Sequence, residues 1–130
     1  MRANESVPGR HYFEGLSRQV IGAALAVHRE LGPGFLESVY EVAMRISLSH
    51  RGIPYECQVP ADIDFEGEFV GRARIDLIVE QHIVLELKAV DRLHDIHFAQ
   101  IKSYLRATGL HVGLLLNFQA PVLTIKRVLL

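Results

Sequence analysis

Three charged residues fall on two neighbouring segments whose alternation of apolar and polar residues is typical of strands. Asp76 lies in RARIDLIVE, and Glu86 and Lys88 lie in IVLELKAV. Because successive side chains of a strand point to opposite faces of a sheet, Glu86 and Lys88 project together, and Asp76 can meet Glu86 across the two strands. Two close carboxylates repel each other unless a cation compensates them, and such oxygen ligands suit Mg²⁺ or Mn²⁺. We therefore predict a divalent metal ion at Asp76 and Glu86.

Lys88 would direct this metal site toward phosphate chemistry. A lysine two residues from a metal ligand could hold and polarise a phosphate oxygen or the attacking water, while the metal lowers the pKa of that water. This combination is suited to phosphodiester hydrolysis. The same spacing also occurs on solvated strand faces, so the pattern by itself leaves both interpretations open.

Two predicted helices carry further polar residues that could face this site. In LESVYEVAMRISLSHR, Glu37 and Tyr40 share one stripe, and Glu37 lies in the first turn, where its charge suits the helix dipole. In HFAQIKSYLRAT, Gln100 and Tyr104 share another stripe, and Gln100 could position a water or a phosphate. The alternatives are a capping-turn glutamate with a core tyrosine, and a polar helix edge.

Basic residues near the predicted site could contact nucleic acid. Arg72 and Arg74 share the predicted strand face of Asp76. The basic residues that could line one groove with them are Arg72, Arg74, Lys88, Arg92, Lys102 and Arg106. A solvated face is an equally good interpretation of Lys102 and Arg106.

Histidines offer a different metal site. His94 and His97 have the i,i+3 spacing that could bind a transition metal if a third ligand converged, but no third ligand is evident. His28, near the end of the first predicted helix, is interpreted as a hydrogen-bonded residue. We therefore favour the carboxylate site over a histidine-based zinc site.

Hydrophobic periodicity predicts the elements that must position these residues. The predicted helices cover residues 12–31, 36–51 and 92–108, and the predicted strands cover 55–65, 68–80, 82–90, 111–118 and 122–130. The second helix is predicted to pack through Leu36, Val39, Ala43, Ile46 and Leu48. The predicted apolar face of the second strand consists of Phe69, Ala73, Ile75, Leu77 and Val79.

Connections between these elements predict an α/β domain. Glu66-Gly67 is a hairpin signal, so the first three strands form an antiparallel meander. The third strand, the third helix and the fourth strand form a right-handed crossover, and the last strand lies at an edge. The order is α-α-β-β-β-α-β-β, with a central mixed sheet flanked by helices.

Composition favours one intracellular domain over residues 1–130. The chain has 130 residues, 49% of them hydrophobic, which is enough for one core, and residues 1–10 are predicted to form a polar, flexible tail. No segment predicts a membrane span or a secretory signal, so we expect a soluble, cytoplasmic protein. The 14 basic and 15 acidic residues give no general attraction to a polyanion. The single cysteine, Cys57, is interpreted as a buried structural thiol.

The segments GPGFLESVY, RARIDLIVE, IVLELKAV, HFAQIKSYL and GLLLNF together resemble the GxxExxY proteins, a small prokaryotic branch of the PD-(D/E)XK nuclease superfamily. Gly34, Glu37 and Tyr40 match the name-giving motif, and the resemblance runs from about Val20 to Arg127. One departure is Ile75, which stands where the superfamily motif has proline before the aspartate.

This resemblance implies a restriction-endonuclease-like core and a set of site residues. Asp76 and Glu86 would be the metal ligands, and Lys88 would be the catalytic lysine. Glu37 and Gln100 would support them.

The leading functional prediction is therefore a Mg²⁺- or Mn²⁺-dependent nuclease. Its substrate would be DNA or RNA, with Arg72, Arg74, Tyr40 and Tyr104 as candidate substrate contacts. The alternative is a non-catalytic module on the same fold that binds nucleic acid or protein. Such a module could act as a homo-oligomer through a sheet edge or a helical face.

Overall fold

The computed structural model describes the backbone of residues 10–130 and the side chains of residues 14–130. The helices are α1 (Arg10–Leu31), α2 (Glu37–His50) and α3 (Asp95–Thr108). The strands are β1 (Tyr55–Phe65), β2 (Glu68–Val79), β3 (Ile83–Lys88), β4 (Val112–Asn117) and β5 (Thr124–Leu129). This is the predicted order of elements. The tail predicted over residues 1–10 lies outside the described residues, apart from Arg10, where α1 begins.

A single five-stranded sheet, in the order β1-β2-β3-β4-β5, forms the centre of the fold. β1, β2 and β3 are an antiparallel meander, β3 and β4 are parallel, and β4 and β5 are antiparallel. Because α3 connects the two parallel strands, it crosses one face of the sheet. The predictions of a mixed sheet and of an edge position for β5 are confirmed.

The turn between β1 and β2 has the backbone that its sequence predicts. Glu66 and Gly67 both have positive φ, 52° and 81°. A two-residue hairpin loop needs this conformation to match the right-handed twist of its strands. The register set by this turn covers two pairs and then shifts by one residue between Asp64 and Ile63, where the ladder has a bulge.

Two apolar clusters cover the two faces of the sheet. On one face, α1 and α2 pack on alternate residues of β2, β3 and β4. On the other face, α3 packs through Ile101, Tyr104 and Leu105. Gly113 of β4 permits this close approach, since a Cβ there would lie 2.8 Å from the Ile101 side chain. Among the described residues, no helix combines the length and apolar character needed to cross a membrane.

The predicted packing face of α2 is wrong. The buried residues of α2 are Tyr40, Met44 and Leu48, spaced by four along one line of the helix. Three residues of the predicted face, Leu36, Val39 and Ile46, are 77%, 39% and 51% exposed. The helix has apolar residues on two sides, so periodicity alone does not select one. Tyr40 decides the outcome, because its ring stacks on Phe118 with centroids 4.7 Å apart.

The prediction of one continuous apolar face on β2 is also wrong. Leu77 packs in the α1/α2 cluster, whereas Ala73 and Ile75 pack in the α3 cluster. The change of face occurs at Asp76, opposite Gln58 of β1, whose φ is 51°. A left-handed residue bends a strand because it breaks the alternation of side chains. The outer part of the β1–β2 ribbon therefore packs against α3 instead of continuing beside β3.

Two side chains outside the site have clear environments. His28 Nε2 lies 2.8 Å from the carbonyl oxygen of Ala120, which confirms the prediction of a hydrogen-bonded histidine at the end of α1. Cys57 is a free thiol that is half-buried against the α1/α2 cluster. It is therefore less enclosed than its strand context predicts.

Candidate functional site

The site lies where β2 and β3 separate. Their antiparallel ladder ends at the pair Leu77 and Leu85. One residue further on, the Asp76 N–H donates to Glu86 Oε2 at 2.9 Å, and the Leu87 N–H donates to Asp76 Oδ2 at 2.8 Å. The two carboxylates thus take the place of backbone carbonyls as hydrogen-bond acceptors. The structure brings Asp76 and Glu86 together, as strand alternation predicts.

Burial dominates the electrostatics of this pair. Glu86 is 3% exposed, and Asp76 is half-buried. Burial raises the pKa of Asp76 to about 6. Burial, together with the nearby charge of Asp76, raises the pKa of Glu86 to about 8. Two full negative charges at this position are therefore unfavourable near neutral pH unless a cation compensates them.

Lys88 partly supplies that compensation. Its ammonium Nζ lies 3.9 Å from Glu86 Oε1 and donates to Gln100 Oε1 at 3.0 Å. The lysine side chain is only 13% exposed. Gln100 of α3 therefore holds the ammonium beside the carboxylate pair.

The predicted polar stripe of α3 continues from Gln100 to Tyr104. The Tyr104 ring is buried, and the Gln100 side chain lies close enough to its hydroxyl to lower the pKa of that group slightly. Burial raises the pKa of Tyr104, and the charges of Glu86 and Asp76 raise it further. The hydroxyl is consequently kept neutral close to an anionic site.

Two glutamates of α2 influence the Asp76–Glu86 pair from the face of the sheet opposite α3. Burial raises the pKa of Asp76, and the charges of Glu41 and, more weakly, Glu37 raise it further. Glu37 is exposed in the first turn of α2, and Glu41 lies one turn later. Sequence reasoning identified Glu37 and missed Glu41. The available signal was their i,i+4 spacing, which places both on one side of the helix.

Tyr40 lies in the core beneath the start of α2. Its side chain is fully buried, its hydroxyl donates to the Gly32 carbonyl at 2.6 Å, and it accepts from the Phe35 N–H at 3.2 Å. These bonds fix the turn that leads into Glu37. Tyr40 therefore positions the start of α2, and its hydroxyl is already engaged by the backbone.

The two candidate arginines differ in their partners. Arg72 forms an exposed salt bridge with Asp62 at 2.7 Å, and its guanidinium lies 5.5 Å from the centroid of the Phe69 ring. Arg74 is exposed and makes a long contact, 3.5 Å, with the Gln58 carbonyl. Arg74 is also two residues from Asp76. Arg74 is therefore nearer in sequence to the carboxylate pair than Arg72 is, and it contacts a backbone carbonyl where Arg72 contacts a carboxylate.

The His94 and His97 pair serves the start of α3. The rings lie 5.8 Å apart, and His97 Nδ1 accepts a hydrogen bond from the His94 N–H at 2.9 Å. This bond occupies one ring nitrogen of His97 in closing the helix turn. Within the described residues, no three histidine, cysteine, aspartate or glutamate side chains form a group that could hold a metal ion. The histidine pair therefore lacks the third protein ligand of a zinc site.

Asn117 is a buried polar residue that sequence reasoning missed. Its side chain is 1% exposed, accepts from the Val90 N–H at 3.1 Å and donates to the Val90 carbonyl at 2.9 Å. It also pairs with Lys88 in the β3–β4 ladder. Asn117 therefore fixes the chain that leaves β3 immediately after Lys88. An asparagine ending an otherwise apolar strand was the available signal.

The donor set fits Mg²⁺ or Mn²⁺. Asp76 and Glu86 offer carboxylate oxygens, and over residues 14–130 no histidine or cysteine side chains complete a nitrogen or sulfur ligand set around them. Mg²⁺ is commonly bound by one or two protein carboxylates, with waters and substrate phosphates completing its shell. The raised pKa values of both carboxyls provide a physical reason for a cation at this point.

Comparisons with known proteins identify the superfamily and the fold. A family model for the PD-(D/E)XK nuclease superfamily matches residues 14–128. The crystal structure of SSO0001 is similar with a TM-score of 0.58 and 20% sequence identity over 71% of this chain and 48% of that chain. The present chain thus corresponds to about half of that neighbour, and the likeness concerns the fold. No curated protein matches the chain significantly.

Proposed function

Since the chain belongs to the PD-(D/E)XK nuclease superfamily, we propose that it is a metal-dependent nuclease that hydrolyses phosphodiester bonds at Asp76, Glu86 and Lys88. One observation carries the proposal: a buried carboxylate and a half-buried one, both with raised pKa values, meet beside a lysine where a strand pair separates. A purely structural sheet has little reason to bury such a pair, because it opposes folding.

Asp76 and Glu86 would hold Mg²⁺ or Mn²⁺. When bound, the ion supplies positive charge that stabilises the charge developing on the phosphate and activates water for attack. Asp76 and Glu86 are pre-oriented for this, because each carboxylate is fixed by a backbone N–H. Their fixed geometry lowers the reorganisation needed in the reaction.

Lys88 would bind a non-bridging phosphate oxygen through its ammonium group. Gln100 would keep that ammonium in place, and Tyr104 would keep Gln100 in place. Glu37 would act from α2, on the other side of the pair. Arg74, and to a lesser extent Arg72, would contact the nucleic-acid backbone.

We also assign the chain, as a proposal, to the GxxExxY branch and to the prokaryotic cytoplasm. The supporting observation is that the motif residues share one structural task. Tyr40 fixes the turn after Gly32, and Glu37 begins the helix that this turn orients.

The test is metal titration combined with cleavage assays. Asp76→Asn keeps an oxygen that can accept from the Leu87 N–H but removes the ligand charge. We expect it to lose Mg²⁺ and Mn²⁺ binding by calorimetry. Cleavage should fall by at least about 1000-fold, because a catalytic metal contributes several kcal/mol to transition-state stabilisation. Single- and double-stranded DNA and RNA would be compared as substrates.

Asp64→Asn, which removes an exposed carboxylate from the β1–β2 ribbon, is the matched control. It should bind metal and cleave as the wild type does. Undiminished cleavage by a clean preparation of Asp76→Asn would contradict the proposed mechanism.

A binding module is the second candidate function. The formal net charge of −1 provides no general attraction to nucleic acid. Val39, Val42 and Ile46 form an exposed apolar stripe on α2, a feature typical of interaction surfaces. Absence of metal binding by the wild type would favour this function. A strictly monomeric protein at high concentration would then argue against homo-oligomeric assembly.

A further inference from the structure

Gln58 has an unusual backbone conformation in the middle of β1. Its φ of 51° is left-handed, a region that residues other than glycine and asparagine rarely occupy. The β1–β2 register pairs Cys57 with Leu77 and Val59 with Ile75, so Gln58 lies opposite Asp76 without a regular pair. The irregular residue therefore faces the proposed metal ligand directly across the ribbon.

The contacts of Gln58 connect β1 with two other elements. Its side-chain Nε2 donates to Glu41 Oε1 of α2 at 2.8 Å. Its carbonyl oxygen is contacted by Arg74 Nη1 of β2 at 3.5 Å. The left-handed backbone thus directs the glutamine amide toward α2 and the carbonyl toward β2.

Glutamine is an unexpected choice for this backbone. Glycine or asparagine adopts the left-handed region more readily, but glycine has no amide and the asparagine amide is one methylene shorter. With either of these shorter residues at position 58, the contact with Glu41 would be lost. Strain kept at such a position is a sign that the side chain has a function there.

Glu41 is the charged side chain to which this contact leads. It is half-buried, and its charge raises the pKa of Asp76 more strongly than the charge of Lys88 lowers it. Glu41 also interacts electrostatically with Arg45, one turn further along α2. No arginine or lysine forms a salt bridge with Glu41 among the described residues. The neutral amide of Gln58 therefore fixes this carboxylate without cancelling its charge.

We propose that Glu41, held by Gln58, is a positioning residue that accepts a hydrogen bond from the hydration shell of the divalent ion bound by Asp76 and Glu86. This inference rests on the proposed function, because it requires that ion. Mg²⁺ releases its waters reluctantly, so a protein controls its position partly through groups that bind those waters. Glu41 approaches from α2, on the side of the carboxylate pair opposite Lys88 and α3.

Three variants test this arrangement by calorimetric titration of the full chain with Mg²⁺. Glu41→Gln keeps an oxygen for the Gln58 amide and removes the charge. It should weaken Mg²⁺ binding by about 10- to 100-fold, as expected for loss of an outer-shell partner. Gln58→Asn keeps the left-handed backbone and shortens the amide, and should weaken Mg²⁺ binding by about 10-fold. Glu56→Gln, at an exposed site on β1, is the matched charge control and should leave the affinity unchanged.

Thermal unfolding in EDTA separates positioning from a merely structural contribution. Glu41→Gln and Gln58→Asn should unfold at or above the wild-type midpoint, since one removes repulsion and the other relieves strain. If the wild type binds Mg²⁺ and Glu41→Gln binds it as tightly as Glu56→Gln does, the inference is overturned and the proposed function stands. If Gln58→Asn keeps full affinity, the assignment of Gln58 as the holder of Glu41 is overturned. If the wild type binds no divalent ion, the inference and the proposed function fail together.

Discussion

The strand pair β2–β3 has two halves along its length, and they differ in side chains and in hydrogen bonding. In the inner half, which ends at Leu77 and Leu85, buried apolar side chains accompany a regular antiparallel ladder. In the outer half, beginning one residue later, Asp76 and Glu86 accept the backbone hydrogen bonds themselves. We refer to these as the apolar half and the carboxylate half.

The difference between the halves is energetic as well as chemical. The apolar half stabilises the fold by roughly 25 cal/mol for each Å² removed from water. The carboxylate half opposes folding, because two buried carboxylates lose hydration and repel each other. Its backbone is nevertheless satisfied, because each carboxylate also accepts from an N–H. The fold thus accommodates an ionisable pair where the strands separate. A bound cation would relieve the repulsion between the two carboxylates.

Substitutions at the adjacent residues Leu85 and Glu86 should have the largest effects, and these should be opposite in sign. Leu85→Ala leaves a cavity in the core and should lower the free energy of unfolding by about 3 kcal/mol. Glu86→Gln keeps an acceptor for the Asp76 N–H and removes the repulsion. It should raise that free energy by about 1–3 kcal/mol at pH 8 in EDTA, because each pKa unit of elevation removed is worth about 1.4 kcal/mol.

Urea unfolding in EDTA, repeated with saturating Mg²⁺, measures both effects. Mg²⁺ should stabilise the wild type and Leu85→Ala, because an ion that binds only the folded state shifts the equilibrium toward it. It should leave Glu86→Gln unaffected. Destabilisation by Glu86→Gln in EDTA would show that the ionised pair supports the fold, contrary to the comparison.

The stability of the folded protein should also depend on pH because of the carboxylate half. Burial raises the pKa of Asp76 to about 6 and, with the charge of Asp76, that of Glu86 to about 8. The folded protein therefore binds more protons than the unfolded chain, and the free energy of unfolding falls as the pH rises. In EDTA the fall should begin near the ordinary carboxyl pKa of about 4, and it should level off above the raised pKa of Glu86, about 8.

The total fall should be on the order of a few kcal/mol. Glu86→Gln should flatten the profile, and Mg²⁺ should reverse it at high pH, since the ligands bind metal only after losing their protons. Urea unfolding at several pH values provides the measurement. A wild-type stability in EDTA that rises between pH 6 and pH 8 would contradict the direction of both pKa shifts.

The sequence is informative about this region wherever local alternation controls the structure. Strand periodicity was enough to predict that Asp76 and Glu86 meet, because both lie close to the ladder that sets their register. The hairpin at Glu66-Gly67 is equally local. The order of the elements and the edge position of β5 followed from the same periodicity, and the strand directions followed from the hairpin signal and the crossover connection.

Features that depend on tertiary packing were beyond such reasoning. The face of α2 is selected by Tyr40 stacking on Phe118, which is 78 residues distant along the chain. The exchange of faces at Asp76 depends on Gln58 adopting a left-handed backbone, for which glutamine gives no signal. The i,i+4 spacing places Glu41 on the Glu37 side of α2, but its contact with Gln58 was not predictable, because that contact joins a helix to a strand.

The smallest expected effect concerns Arg72 and Arg74, which follow the carboxylate half along β2. Arg72 is already paired with Asp62, whereas Arg74 has only a long contact with a carbonyl. Arg74→Gln should weaken nucleic-acid binding across sequences and reduce the slope of log affinity against log salt by about 1, as for loss of one phosphate contact. Arg72→Gln should reduce the slope less, because its cation is partly neutralised. Binding measured over a salt series in Ca²⁺, with Arg18→Gln on α1 as control, decides between them. Equal slopes for Arg74→Gln and Arg18→Gln would remove Arg74 from the nucleic-acid surface and confine the functional region to the carboxylate half.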